Sequence, residues 1–206
     1  GFEADFPGPR LASRDQQLMT TNFCAIDFGT SNSAIALPHG DNGVRLVALE
    51  GERSTMPTAV FYEVEGLGAH EAPRRRYGHA AIAAYVEGRE GRLMRSMKSI
   101  LGSTLATQST DLGEGRSVRY LDVVTDFLRH LKSRAEDEAG VALHRAVLGR
   151  PVFFVDDDAQ RDAAAQAALA QAARAVGFDE LTFQYEPIAA ALHYEATVET
   201  ERLVLV

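Results

Sequence analysis

The chain has 206 residues, of which 46% are apolar, 24% charged and 8% aromatic, and its formal net charge is −8. These proportions exclude a disordered or collagen-like chain, and no apolar run approaches the roughly 18 residues that a membrane helix needs. The single cysteine, Cys24, excludes an internal disulfide framework and a Cys-rich zinc site, and the acidic balance argues against nucleic acid as a partner.

Residues 1–21 show neither helical nor strand periodicity, and Pro7, Gly8 and Pro9 break any element there. This stretch has no signal-peptide core and is expected to be a flexible tail or an appended remnant. The first strand is expected at Phe23–Phe28, ending in Gly29, and the second at Ser33–Leu37. A third, Val44–Leu49, follows a Gly-Asp-Asn-Gly turn, so the three read as an antiparallel meander at the edge of a larger sheet. Thr58–Tyr62 reads as another strand, with Pro57 at its start where no ladder donor is needed.

Residues 57–118 are glycine-rich and carry the Arg74–Arg76 run, which reads as a charged loop or a basic recognition patch. Two short helical patterns are expected there, around His79–Glu87 and Leu93–Leu101. The whole stretch is expected to be a smaller inserted subdomain with much loop. Leu121, Val124, Leu128, Leu131 and Ala135 then recur on one helical face, and Gly140 stops that helix. Strand Arg145–Leu148, helix Ala159–Val176, strand Leu181–Tyr185, helix Glu186–Glu195 and strand Arg202–Val206 follow. Such alternation predicts parallel strands, and hence an α/β fold. The abrupt end on an apolar strand suggests a truncated chain.

Between the first two strands lies Asp27-Phe28-Gly29-Thr30-Ser31-Asn32-Ser33. A Gly29 with positive φ would free successive backbone N–H groups, and with the hydroxyls of Thr30, Ser31 and Ser33 these would make an anion cradle. Asp27 beside such a cradle points to Mg²⁺ between carboxylate and phosphate. The alternative is a plain hairpin turn whose hydroxyls satisfy its own backbone. Glu186 precedes Pro187 at a helix start, where it either caps the helix or orients a nucleophilic water. Lys98 follows Ser96-Met97 on a short element and is either a solvated lysine or a group folded over the cradle. Asp156–Asp158 reads as a turn capping the next helix.

These residues stand in the order of a known family. Ile26-Asp27-Phe28-Gly29-Thr30-Ser31-Asn32-Ser33 resembles the first phosphate loop of the actin-like ATPase superfamily, and most closely that of the seventy-kilodalton heat-shock (DnaK) chaperones. Thr55-Met56-Pro57-Thr58-Ala59-Val60, Met97-Lys98-Ser99-Ile100-Leu101-Gly102, Asp158-Ala159-Gln160-Arg161 and Glu186-Pro187-Ile188-Ala189-Ala190-Ala191 extend the likeness over residues 22–206. Phe183-Gln184-Tyr185-Glu186-Pro187 and Gly149-Arg150-Pro151 look like the YegD-type members, which lack a recognisable peptide-binding domain.

The resemblance implies an actin-like, ribonuclease H-like lobe: a mixed sheet flanked by helices, with a smaller α+β insertion. Residues 22–56 with 119–206 would form its core subdomain and 57–118 the insertion, the second lobe being absent. It implies a cytoplasmic ATPase using ATP/ADP and Mg²⁺. By motif, Gly29, Thr30, Ser31 and Asn32 would line the phosphates, and Asp27 would hold the metal through water. Lys98 would reach the γ-phosphate, and Glu186 would position the attacking water. Pro151 and Arg161 match the family's interdomain-signalling positions, although two extra residues separate them here.

Nucleotide is the implied partner, with unfolded polypeptides or co-chaperones reached through the full-length protein. The segment alone would bind ATP weakly and not hydrolyse it. Rival readings are an MreB-like cytoskeletal ATPase, a catalytically dead interaction module of the same fold, and a sugar kinase of the superfamily.

Overall fold

The computed structural model describes residues 22–40, 43–68 and 70–195. The expected tail over residues 1–21 and the expected strand Arg202–Val206 lie outside the described residues. The main sheet runs in the order β11-β10-β1-β2-β3, with β4 also paired to β2. Its central strand β1 (Phe23–Phe28) runs antiparallel to β2 (Asn32–His39), which in turn pairs antiparallel with β3 (Gly43–Leu46) and β4 (Thr55–Pro57). On its other side β1 runs parallel to β10 (Arg145–Arg150), and β10 parallel to β11 (Glu180–Tyr185). The meander and the parallel strands read from the sequence thus meet on β1.

Strand alternation puts Cys24, Ile26 and Phe28 on one face of β1 and leaves Asp27 exposed on the other. The first face is covered by α2 (Tyr120–Ala139) and α3 (Ala159–Ala175). Val124, Phe127, Leu128, Leu131 and Ala135 form the buried stripe of α2, and the Phe127 ring lies 6.0 Å from that of Phe28. Gly140 ends α2 with φ +68, a conformation that a side chain would strain. The Asp158 carboxylate caps α3 by accepting from the Arg161 N–H at 2.9 Å, as its place before the Ala-rich run suggests.

A second, antiparallel sheet has the order β6-β5-β7, made of Arg74–Tyr77, Ala59–Glu63 and Gly91–Arg95. Helix α1 (Gly78–Val86) packs on it through Ala81 and Ala84 against Ala59 and Phe61. A hairpin, β8 (Ser109–Gly113) with β9 (Arg116–Arg119), completes this part of the chain.

Two expectations fail here. The helical pattern at Leu93–Leu101 is strand β7 followed by a 3-10 turn at Met97–Ile100. Leu93 packs on the small core and Met94 on the large one, so the two residues serve opposite faces as in a strand. Ser96, with φ 54, then breaks the chain direction. The Arg74–Arg76 run is strand β6 rather than a loop, because Arg76 meets buried Glu63 at 2.7 Å and Arg75 meets buried Asp126 at 2.6 Å.

Truncating Phe127 to alanine is expected to cost roughly 3–5 kcal/mol, since the ring is fully buried between helix and sheet. Urea unfolding of the variant checks this: the midpoint falls and the slope stays as in the parent.

Candidate active site

Three sequence-distant groups meet at the carboxyl ends of the parallel strands. Asp27 sits near the end of β1, Gly149 near the end of β10, and Glu186 opens α4 (Glu186–Glu195) directly after β11. The register Ile26↔Leu148 and Leu148↔Phe183 sets these ends side by side. The carboxyl edge of parallel strands is where open α/β sheets place their ligands. Lys98, in the 3-10 turn after β7, extends from the other sheet and donates from Nζ to Glu186 Oε1 at 2.5 Å. Its side chain is only 10% exposed, so it is not the solvated lysine that its local sequence allows.

Gly149 lies directly beside this pair. A Cβ there would lie 3.5 Å from Glu186 Cγ and 3.6 Å from both Glu186 Oε1 and the Ile26 carbonyl oxygen. Asp27 reaches solvent, yet partial burial raises its pKa above the usual carboxylate range. The Glu186 charge raises it further, and Lys98 only partly offsets the two effects. Lys98 thus bonds to Glu186 and acts on Asp27 only through its charge.

The loop after β1 is tight for a reason other than the one expected. Gly29 does not have positive φ; a Cβ on it would lie 2.1 Å from the Asn32 carbonyl oxygen. Close approach of backbone to backbone demands the glycine. Thr30, Ser31 and Asn32 are exposed along the turn. Ser33 does not belong to the cradle: it is buried, and its hydroxyl shares a 2.8 Å hydrogen bond with that of Thr58. The Thr58 N–H also donates to the Ser31 carbonyl at 2.9 Å, tying the loop to the start of β5.

Under α4 the sheet face opens into a cleft of about 570 Å³, lined by Asp27, Gly149, Gln184 and Glu186 and otherwise mostly by small apolar residues. Gln184 follows from strand alternation only once Gly149 is known to sit beside it in register. Among the described residues no three His, Cys, Asp or Glu side chains converge as a metal cage. No described helix is long and apolar enough to cross a membrane.

Arg161 does not touch the Lys98–Glu186 pair; its Nε donates to the Gly102 carbonyl at 2.9 Å, just beyond the turn that carries Lys98. The Pro151 carbonyl accepts from Arg150 Nε at 3.0 Å. Arg150, noted in the sequence only as part of Gly149-Arg150-Pro151 and given no role of its own, is 8% exposed and ion-paired with Asp162 at 2.8 Å. Its guanidinium lies 5.1 Å from the Tyr185 ring centroid and 5.2 Å from that of Phe154. The sequence offered Gly149-Arg150-Pro151 and an arginine at the end of a strand, with nothing to show its partners.

Comparison with known proteins fits this geometry. The family model described as Hsp70 protein matches residues 23–206. Chaperone protein HscA homolog of Pseudomonas aeruginosa (strain LESB58) is 32% identical over 200 residues, covering 88% of this chain and 29% of the relative. The HscA homolog of Aromatoleum aromaticum is 31% identical over 186 residues (82% of this chain, 27% of the relative). That of Delftia acidovorans is 32% identical over 189 residues, with 82% and 28% covered. The chain thus spans under a third of the length of these relatives. A family model over nearly all of its length, joined to the actin-like sheet order and the strand-end site, places this chain in the Hsp70 family.

Proposed function

We infer that this chain is the first lobe of the nucleotide-binding domain of a chaperone ATPase. The observation that carries this is the meeting of Lys98 with Glu186, 88 residues apart in sequence, beside Asp27 and the Gly29–Asn32 turn. In this reading Gly29, Thr30, Ser31 and Asn32 face the phosphates of ATP. Lys98 has three N–H donors, so it can hold Glu186 and still give one to a γ-phosphate oxygen. Glu186 accepts a hydrogen bond from the attacking water and orients it. Phosphoryl transfer asks mainly for such positioning and for charge neutralisation.

The donor set suits Mg²⁺. Asp27 and Glu186 place two carboxylates near one lysine; burial is the main cause of the raised pKa of Asp27, and the Glu186 charge adds to it. With no cage of protein ligands, the metal would be held by Asp27 through water and completed by the phosphates. When bound it supplies the charge neutralisation that Lys98 alone does not.

The finer assignment to the YegD-type branch rests on Gly149-Arg150-Pro151 and Phe183-Gln184-Tyr185-Glu186-Pro187. Arg150 and Tyr185 from these two phrases pack on each other at the site's edge. We place the protein in the cytoplasm, in keeping with a lone cysteine that is buried and whose thiol burial pushes up to about 12. Unfolded polypeptides and co-chaperones are the partners proposed for a full-length protein carrying this segment. The segment alone provides one side of the site.

In a full-length protein, Lys98→Ala and Glu186→Ala are each expected to lower kcat about 100-fold or more while nucleotide affinity changes little. Unchanged turnover in both, measured by phosphate release, would reject the reading. The 206-residue chain itself is expected to show no micromolar Mg·ATP binding by isothermal titration calorimetry. Asp27→Asn in that chain is expected to raise Tm slightly at neutral pH. A carboxylate whose folded pKa is raised costs stability once pH climbs through the interval between its unfolded and folded values, and the amide removes that cost. Thermal scans below that interval should show the two proteins converging.

A further inference from the structure

A second concave site, sharing no lining residue with the cleft under α4, lies where β6, the β8–β9 hairpin and the first turns of α2 meet. It encloses about 440 Å³, and Arg75, Arg119 and Arg129 converge on it with Ser109 and Ser117. Its two carboxylates are already engaged. Asp126 is 7% exposed and accepts at Oδ2 from Tyr62 Oη (2.8 Å) and Arg75 Nε (2.6 Å), and at Oδ1 from Arg129 Nη1 (2.6 Å). Asp122 takes both of its bonds, at 2.8 Å, from Nε and Nη2 of Arg119.

The carboxylates therefore act as mounts for the guanidinium groups. Arg75 spends only Nε on Asp126, and Arg129 only Nη1. Both Nη groups of Arg75, Nε and Nη2 of Arg129, and Nη1 of Arg119 have no protein partner among the described residues. The same is true of the Ser109 and Ser117 hydroxyls. The Tyr62 ring, 5.8 Å from the Arg75 guanidinium carbon, backs that group as well. Three cations against two anions leave one positive charge uncompensated in a chain whose formal net charge is −8.

We propose that this pocket binds a phosphate group, free or as the monoester of a small molecule. Guanidinium donors match the peripheral oxygens of phosphate, and three arginines with two serines in the lining can supply donors to a tetrahedral anion from several sides. The cavity is larger than one phosphate ion, which leaves room for the remainder of an ester. The site is independent of the nucleotide reading, since neither the Gly29–Asn32 turn nor the Lys98–Glu186 pair lines it.

Amide NMR spectra of the 206-residue chain, titrated with inorganic phosphate and with chloride at matched ionic strength, test the proposal. Saturable shifts at Ser109, Ser117 and Thr125 are expected with phosphate and not with chloride. Arg119→Gln and Arg129→Gln are expected to weaken them about tenfold each. Their side chains are 63% and 55% exposed, so the fold is expected to survive both changes. Ser117→Glu, which puts a carboxylate into the pocket, should abolish the shifts. Any response at Gly29–Asn32 is read separately and should not change in these variants. Tighter binding of glycerol phosphate than of inorganic phosphate would identify an ester, and equal binding free phosphate; either upholds the site. Shifts matched by chloride, or wild-type affinity in all three variants, overturn it.

Discussion

The ion pair between Lys98 and Glu186 joins parts of the molecule that the chain keeps far apart. Its lysine belongs to a turn leaving the second sheet, and its glutamate to the helix entered from the last parallel strand of the first. Each side chain alone would be an unremarkable surface charge. Together they link the turn after the small sheet to the strand ends, where burial first, and then the Glu186 charge, raises the pKa of Asp27 against the opposing pull of Lys98. The lysine is largely shielded from water, so losing Glu186 would leave a poorly solvated charge, and the pair acts more on position than on net stability.

The second sheet is held in place by charge as well as by apolar contact. Glu63, at the end of the fully buried strand β5, is gripped by Arg76 and Arg89 at 2.7 and 3.1 Å. Hydrogen bonding from Arg76 is the leading cause of its lowered pKa. Asp126 on α2 reaches across to Tyr62 and Arg75 and so binds the helix of the main layer to both β5 and β6. Buried carboxylates of this kind cost free energy to desolvate and strongly disfavour any arrangement that would strip them of their partners. Their contribution is to the position of the small sheet more than to net stability.

Much of the frame was legible in the residues. Phe23–Phe28, the periodic stripe ending at Gly140, and the Ala-rich helix capped by Asp158 all rest on local rules: alternation, helical spacing and capping. Where a partner from another element decides, local rules fail. Met94 and Leu93 satisfy two different cores, so their stretch imitates a helix while forming a strand. The arginine run forms a strand because acidic partners on β5 and α2 await it. The motif order brought Asp27, Lys98 and Glu186 to notice, but it carried no sign that Lys98 is shielded from water or that Arg150 is a buried hub. Ser33 was misread for a related reason: a hydroxyl in a loop motif does not reveal which side of the strand it takes.

The hydroxyl bridge from Ser33 to Thr58, with the Thr58 amide bonded to the Ser31 carbonyl, gives the turn after β1 a second anchor. Residue 58 is the first step out of the main layer and into β5, so the turn and the small sheet share a pivot. Val60 and Tyr62 of β5 also pack into the main core, so a shift of that sheet would be felt there as well as, through Thr58, at the turn between Gly29 and Asn32. The seat of the turn and the position of the small sheet are thus fastened together at a single residue, Thr58.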